Sequence, residues 1–144
     1  MREVWQTRYL GLDIGDRWIG VALSDPSGIL ASPLTIIKRK QEVADLEAIG
    51  TIIEQNDIGR VIVGLPISMN GSLGRQAEKV REFTDRLRSH IEVPVEFSDE
   101  RLTTVSARHL MQKTTPKKKR EKARDDAIAA AFILQGFLDE EQSV

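Results

Sequence analysis

The sequence predicts an α/β domain built on a mixed sheet. Two observations carry this. Three short apolar runs separated by turn signals open the chain, the pattern of an antiparallel meander. Beyond about residue 40, helical stripes alternate with short apolar runs, the βαβ pattern that needs parallel strands joined by helical crossovers. The length agrees: 144 residues suit a single domain, 1–144, that buries roughly 68–70% of the surface its unfolded chain exposes.

Taken in order, Tyr9–Ile14 and Trp18–Leu23 are strand-like runs joined by Gly15-Asp16-Arg17, and Pro33–Lys38 follows the Asp25-Pro26-Ser27-Gly28 turn. Gln41–Gln55 places Val43, Leu46, Ile49, Ile52 and Ile53 on a helical stripe. Arg60–Leu65 is a nearly all-apolar run, as expected of a strand covered on both faces. A helix starting near Asn70-Gly71-Ser72 and running to about Ser89 turns Ala77, Val80, Phe83, Thr84 and Leu87 inward. Val93–Phe97 reads as the fifth strand, Thr103–Gln112 as a helix capped by Thr103 or Thr104, and Lys122–Asp139 as a last helix, apolar nearly all round and so expected to be buried.

Composition narrows the chemistry. A hydrophobic fraction of 40% with 10 glycines is that of a globular chain, and no cysteine means no thiolate metal site, iron–sulfur cluster or cysteine nucleophile. The N-terminus lacks the apolar core of a signal peptide, and no run approaches the ~20 apolar residues of a membrane span, so the expectation is a soluble cytoplasmic protein without a membrane partner. A net charge of -1 names no partner, but it averages over a sharp local split.

Three acidic positions lie at element ends, where α/β sheets bind ligands. Asp13, between Leu12 and Ile14, is either a carboxylate on a sheet face, costly unless paired or metal-bound, or a turn residue ahead of Gly15. Asp99-Glu100-Arg101 follows the fifth strand, either as site residues or as an exposed loop capping the next helix. Asp125-Asp126 leads into the apolar run from Ala127 to Leu134, either as a ligand or as helix caps. Carboxylates from these three places could converge on one or two hard cations, Mg²⁺ or Mn²⁺, of the kind that cleave phosphodiesters.

The basic charge is concentrated. Lys113–Arg124 holds seven positive residues and one negative among twelve, either a solvated loop or a phosphate-binding segment. It carries no aromatic residue, which favours binding by shape and phosphate over base stacking; Arg108 and His109 extend it. Gly64–Ser72 joins a strand to a helix start and could present backbone N–H groups to phosphate. His90 and His109 match no catalytic signature and read as surface or satisfied polar residues.

Several blocks together carry a resemblance. Gly11-Leu12-Asp13-Ile14-Gly15 with Ile19-Gly20-Val21-Ala22 and Asp25, then Val63-Gly64-Leu65-Pro66, Met69-Asn70-Gly71-Ser72 with Gln76 and Phe83, then Asp99-Glu100-Arg101-Leu102-Thr103-Thr104 and Asp126–Ala131, resemble the RuvX/YqgF family of Holliday-junction resolvase-like and pre-16S rRNA nucleases. The resemblance implies a ribonuclease H-like fold, a mixed five-stranded sheet with helices on both faces. It also implies metal-binding catalytic carboxylates at Asp13, Glu100 and Asp126, with Asp99 as rival to Glu100, and Mg²⁺ or Mn²⁺ as cofactor. The partner it implies is nucleic acid, an RNA precursor or branched DNA, contacted by Arg17, Ser68, Asn70, Arg101, Lys117, Lys118, Lys119 and Arg120. Trp18 stands where the family usually places a basic residue, and the loop around Lys113–Glu121 is a little short. The same residues leave two other readings open. One is a non-catalytic nucleic-acid or ribosome-assembly module. The other is a nucleotide site like that of actin-like ATPases, which need a second lobe that 144 residues do not accommodate. No apolar stripe is clearly surplus to the core, so the sequence assigns no oligomeric state.

Overall fold

Period-two alternation of apolar residues sets the first strands. β1 (Arg8–Ile14), β2 (Trp18–Ser24) and β3 (Ala31–Lys38) form an antiparallel meander. The computed structural model describes residues 8–67, 73–99 and 122–142, with 122–126 and 142 described by their backbone alone. β4 (Ile58–Leu65) pairs in parallel with β1, and β5 (Val95–Asp99) in parallel with β4, giving the order β3-β2-β1-β4-β5.

Two cores lie on opposite faces of this sheet. On one, Leu10, Leu12, Val21, Val61 and Val63 pack against Leu46, Ile49 and Ile53 of α1 (Glu42–Gln55) and Val80, Phe83 and Leu87 of α2 (Arg75–His90). On the other, Ala22 and Ile62 pack against Ala130, Ala131, Leu134 and Leu138 of α3 (Lys122–Gln142). β4 thus buries Val61 and Val63 on one side and Ile62 on the other, which is why its sequence has no polar alternation.

The structure shifts several expected boundaries. β3 starts at Ala31, ahead of Pro33, because an edge strand tolerates a residue without an N–H. β5 starts at Val95 rather than Val93; Pro94 breaks the ladder as a donor, although its carbonyl accepts from the Val61 N–H at 2.9 Å. α2 starts at Arg75, after Gly74, and not beside Asn70–Ser72. α3 continues past Asp139 to Gln142, and it is not buried all round: Ile128, Ala129 and Phe132 are half-buried, so the helix is covered along one stripe. The expected helix over Thr103–Gln112 lies outside the described residues. No helix among the described residues is long and apolar enough to cross a membrane.

The turn between β2 and β3 is closed by Asp25. Its carboxylate accepts the Ser27 hydroxyl and the N–H groups of Leu30 (2.7 Å), Ile29 (2.8 Å) and Ser27 (3.1 Å). Gly28 takes a left-handed conformation (φ 73°) to allow the wrap. Gln135 of α3 fastens the same turn, accepting from the Ala31 N–H and donating to the Ile29 carbonyl, both at 2.9 Å. The Ser27 hydroxyl first, then the amides, hold the Asp25 carboxyl far below the usual carboxylate range. A depressed folded value means stability that is complete above the unfolded value of about 3.9 and is lost as pH falls below it. The melting-temperature difference between wild type and Asp25→Asn is therefore expected to be steady above about pH 4 and to shrink below it; a difference that grows on acidification contradicts the wrap.

α3 lies unusually close to β1. A Cβ placed on Gly11 would stand 2.8 Å from the Leu134 Cβ and 3.1 Å from the Ala130 carbonyl. Gly11→Ala must push the helix off the sheet, at about 1–3 kcal/mol of overpacking, read by urea unfolding. An alanine variant as stable as wild type would show that this approach has slack.

Candidate active site at the carboxyl end of the parallel strands

Because β1, β4 and β5 run in parallel, their carboxyl ends share one edge of the sheet, where ligands of α/β sheets bind. Leu12 and Ile14 point into the α1/α2 core, so Asp13 between them faces the α3 side, as Gly11 does. Its partner on β2 is Gly20. On β4, the pairing of Leu12 with Val63 puts Gly64 level with Asp13, and Gly64 in turn pairs with the buried Ser98 of β5. With glycine at both flanking positions, neither of the residues level with the half-buried Asp13 on β2 and β4 adds a side chain to that face.

The helix over this face runs opposite to β1. The Tyr9 and Phe137 rings lie 6.0 Å apart, and Gly11 meets Leu134 and Ala130. Two strand residues advance about 6.6 Å, equal to about four residues of helix. Asp13 is therefore level with residues 126–130, and the backbone of Asp126 stands at the near end of that stretch. Asp99 is different. It pairs with Leu65, which lies in the α1/α2 core, so alternation turns Asp99 to the face opposite Asp13.

The turn after Asp13 is held from outside the sheet. Arg39 Nη1 donates to the Gly15 carbonyl at 3.0 Å, the Arg39 N–H to the Arg17 carbonyl at 2.9 Å, and Gln76 Nε2 of α2 to the Ile14 carbonyl at 3.4 Å. The Arg39 guanidinium is itself fixed, with Nε 3.2 Å from the Asp45 carboxylate and its plane 4.9 Å from the centre of the Phe83 ring. Asp45 is only 2% exposed and also accepts the Lys40 N–H at 3.1 Å. Sequence reasoning missed this clamp. The signal was present, because Asp45 sits four residues before Ile49 on the inward stripe of α1, where a carboxylate needs a partner.

Of the other expected site residues, Arg17 is exposed in the turn at this same edge. Ser68, Asn70, Glu100, Arg101, Arg108, His109, Lys117, Lys118, Lys119 and Arg120 lie outside the described residues, as does the Asp126 side chain. Among the described residues no three His, Asp or Glu side chains are grouped closely enough to hold a metal. A concavity of about 740 Å³ lined by Glu47, Glu54, Asp57, His90 and Glu92 opens at the amino ends of β4 and β5. It is remote from the strand ends that carry Asp13, and His90 sits there exposed at the last turn of α2, as expected of a surface histidine.

Asp45→Ala leaves the Arg39 Nε and the Lys40 N–H without their acceptor. It is expected to cost about 3 kcal/mol in urea unfolding, and Asp45→Asn, which can still accept from Lys40, less. Equal stability of wild type and Asp45→Ala would dismiss the clamp.

Comparison with known proteins shows the family and the fold. The family model described as "RuvX: Holliday junction resolvase" matches residues 7–140. Proteins of Clostridium botulinum named "Putative pre-16S rRNA nuclease" are 47% identical over 132 residues, covering 92% of this chain and 96% of theirs; one of the same name from a Roseiflexus species is 47% identical over 135 residues, 94% and 96%. Thermus thermophilus RuvC in complex with a Holliday junction substrate superposes with a TM-score of 0.62 at 13% identity, covering 93% of this chain and 96% of that one. The fowlpox virus resolvase gives 0.55 at 15%, covering 94% and 99%. These structures share the fold, a ribonuclease H-like mixed sheet with α1 and α2 on one face and α3 on the other. With a family match over nearly its whole length and relatives at 47% identity, the chain belongs to the RuvX family.

Proposed function

We propose that this chain is a metal-dependent endonuclease that hydrolyses phosphodiester bonds in structured nucleic acid in the cytoplasm, with 16S rRNA precursor as its foremost substrate and branched DNA junctions as a second. The substrate follows the names of the 47%-identical relatives and of the family. The observation that carries the chemistry is Asp13: a carboxylate at the carboxyl end of β1, between two glycines, level with the stretch of the last helix that begins at Asp126. A non-catalytic module has no comparable support, since the chain keeps an acidic residue at each of the three motif positions.

The donor set suits the ion. Asp13, Glu100 and Asp126 offer carboxylate oxygens alone, the ligands Mg²⁺ and Mn²⁺ prefer. Asp99 faces the α1/α2 core, away from Asp13, which supports Glu100 over it as the second acidic ligand. One or, in the two-ion form, a pair of such ions supplies water activation and charge neutralisation at the phosphate. The chain's own residues do the rest. Gly20 and Gly64 leave room for a phosphodiester to lie against the sheet beside Asp13. Arg39 and Gln76 keep the turn after Asp13 from moving. Arg17, Ser68, Asn70, Arg101 and Lys117 to Arg120 hold flanking phosphates, offsetting the carboxylates that would otherwise repel them.

The test offers wild type and Asp13→Asn an rRNA precursor fragment and a four-way DNA junction side by side, with Mg²⁺ or Mn²⁺ and with EDTA. Wild type is expected to cut with metal and stop in EDTA. Asp13→Asn is expected to fall to background with an unchanged circular dichroism spectrum. Cleavage at the wild-type rate by pure Asp13→Asn protein sinks the assignment.

A further inference from the structure

Most rings in the described structure have an internal partner. Tyr9 faces Phe137 and the Arg60 guanidinium, Phe83 faces Arg39, and Phe97 faces Arg88. Trp18 has no such partner among the described residues, and it is half-buried with part of its surface open. It begins β2, and alternation with Ile19 and Val21, which enter the α1/α2 core, puts it on the other face with Gly20 and Ala22. That is the face of Asp13.

Register makes the relation close. Asp13 pairs with Gly20, so Trp18, two residues along β2, is its diagonal neighbour, about 7–8 Å away and within reach of a large ring. Gly20 puts no side chain beside that diagonal. Lys38 pairs with Trp18 on the same face and is exposed, and Arg17, next in sequence, is exposed as well. A ring with two flanking cations at the rim of a phosphodiester site matches the stacking-plus-phosphate arrangement that holds unpaired nucleotides.

We infer that Trp18 is a stacking platform for an unpaired base next to the phosphate at Asp13, with Lys38 and Arg17 on the adjoining phosphates. The inference rests on the nuclease reading of Asp13. It adds a substrate feature: the strand at the cut must present an unstacked base, as a single strand, bulge or junction does and a continuous duplex does not. In a continuous duplex, stacking on the neighbouring base pairs covers both faces of the base, so the ring gains nothing there.

The experiment uses the full chain carrying Asp13→Asn, so that binding is read without cleavage, together with its Trp18→Phe and Trp18→Ala derivatives. Each is titrated with a single-stranded RNA oligonucleotide and with the same sequence as a duplex. Affinity is followed by polarisation of a labelled strand and the ring by intrinsic tryptophan fluorescence. The single strand is expected to quench fluorescence in the parent, and this quench is expected to vanish in Trp18→Phe. Trp18→Ala is expected to weaken single-strand binding by about fivefold to a hundredfold, Trp18→Phe by much less, and duplex binding by less than about twofold in either. Trp18→Phe keeps a ring in the strand, so it gives the fluorescence answer even where the alanine variant unfolds. No Trp18-dependent quench at saturating single strand, or equal losses on single strand and duplex, overturns the inference. Residual cleavage by Asp13→Asn in the same tubes would count against the nuclease site instead.

Discussion

The last helix can rest on β1 only because residue 11 is glycine: a methyl group there would stand 2.8 Å from the Leu134 Cβ. This approach sets everything on that face of the sheet. It fixes the register of α3 along β1, from the Tyr9–Phe137 ring pair through Gly11 to the level of Asp13, and so decides which part of the helix overhangs the carboxylate. Alanines at 127, 130 and 131 continue the same economy of volume on the helix side. A wider spacing would slide or lift the helix, and the stretch beginning at Asp126 would no longer sit over the end of β1.

The opposite face does a different job. There the large side chains, Leu10, Leu12, Val61, Val63, Ile49 and Phe83, form the main core. The polar cluster of Arg39 and Asp45 sits at its rim, tied to the turn that follows Asp13. Burial of Asp45 is sustained because the carboxylate meets both a guanidinium and a backbone N–H. The two faces thus divide the work. One anchors the turn after the carboxylate, and the other keeps a thin, glycine-rich surface around it.

Much of this was legible in the chain. The three opening runs, with Asp13 in the first of them, the all-apolar β4 and the helical stripes of α1 and α2 follow from periodicity. The boundaries that moved did so for local reasons, Pro94 at β5 and Gly74 ahead of α2. The relations that matter for chemistry were not local. That Gly20 and Gly64 both flank Asp13 depends on the strand order β2-β1-β4, and no single segment states it. That Asp99 turns to the α1/α2 face, away from Asp13, follows from its pairing with Leu65 on the neighbouring strand and not from its own segment. Trp18 looked like a departure from a family pattern until the register made it Asp13's diagonal neighbour.

On the proposed reading, the ion and the phosphate meet on the α3 face of the sheet beside Asp13. The most direct measurement is paramagnetic broadening of backbone amide signals by substoichiometric Mn²⁺ in the intact protein. The strongest broadening is expected at Asp13, Gly20, Gly64 and the stretch of α3 that begins at Asp126. Broadening centred instead on Glu54, Asp57 and Glu92, in the acidic concavity at the far end of the sheet, would contradict it.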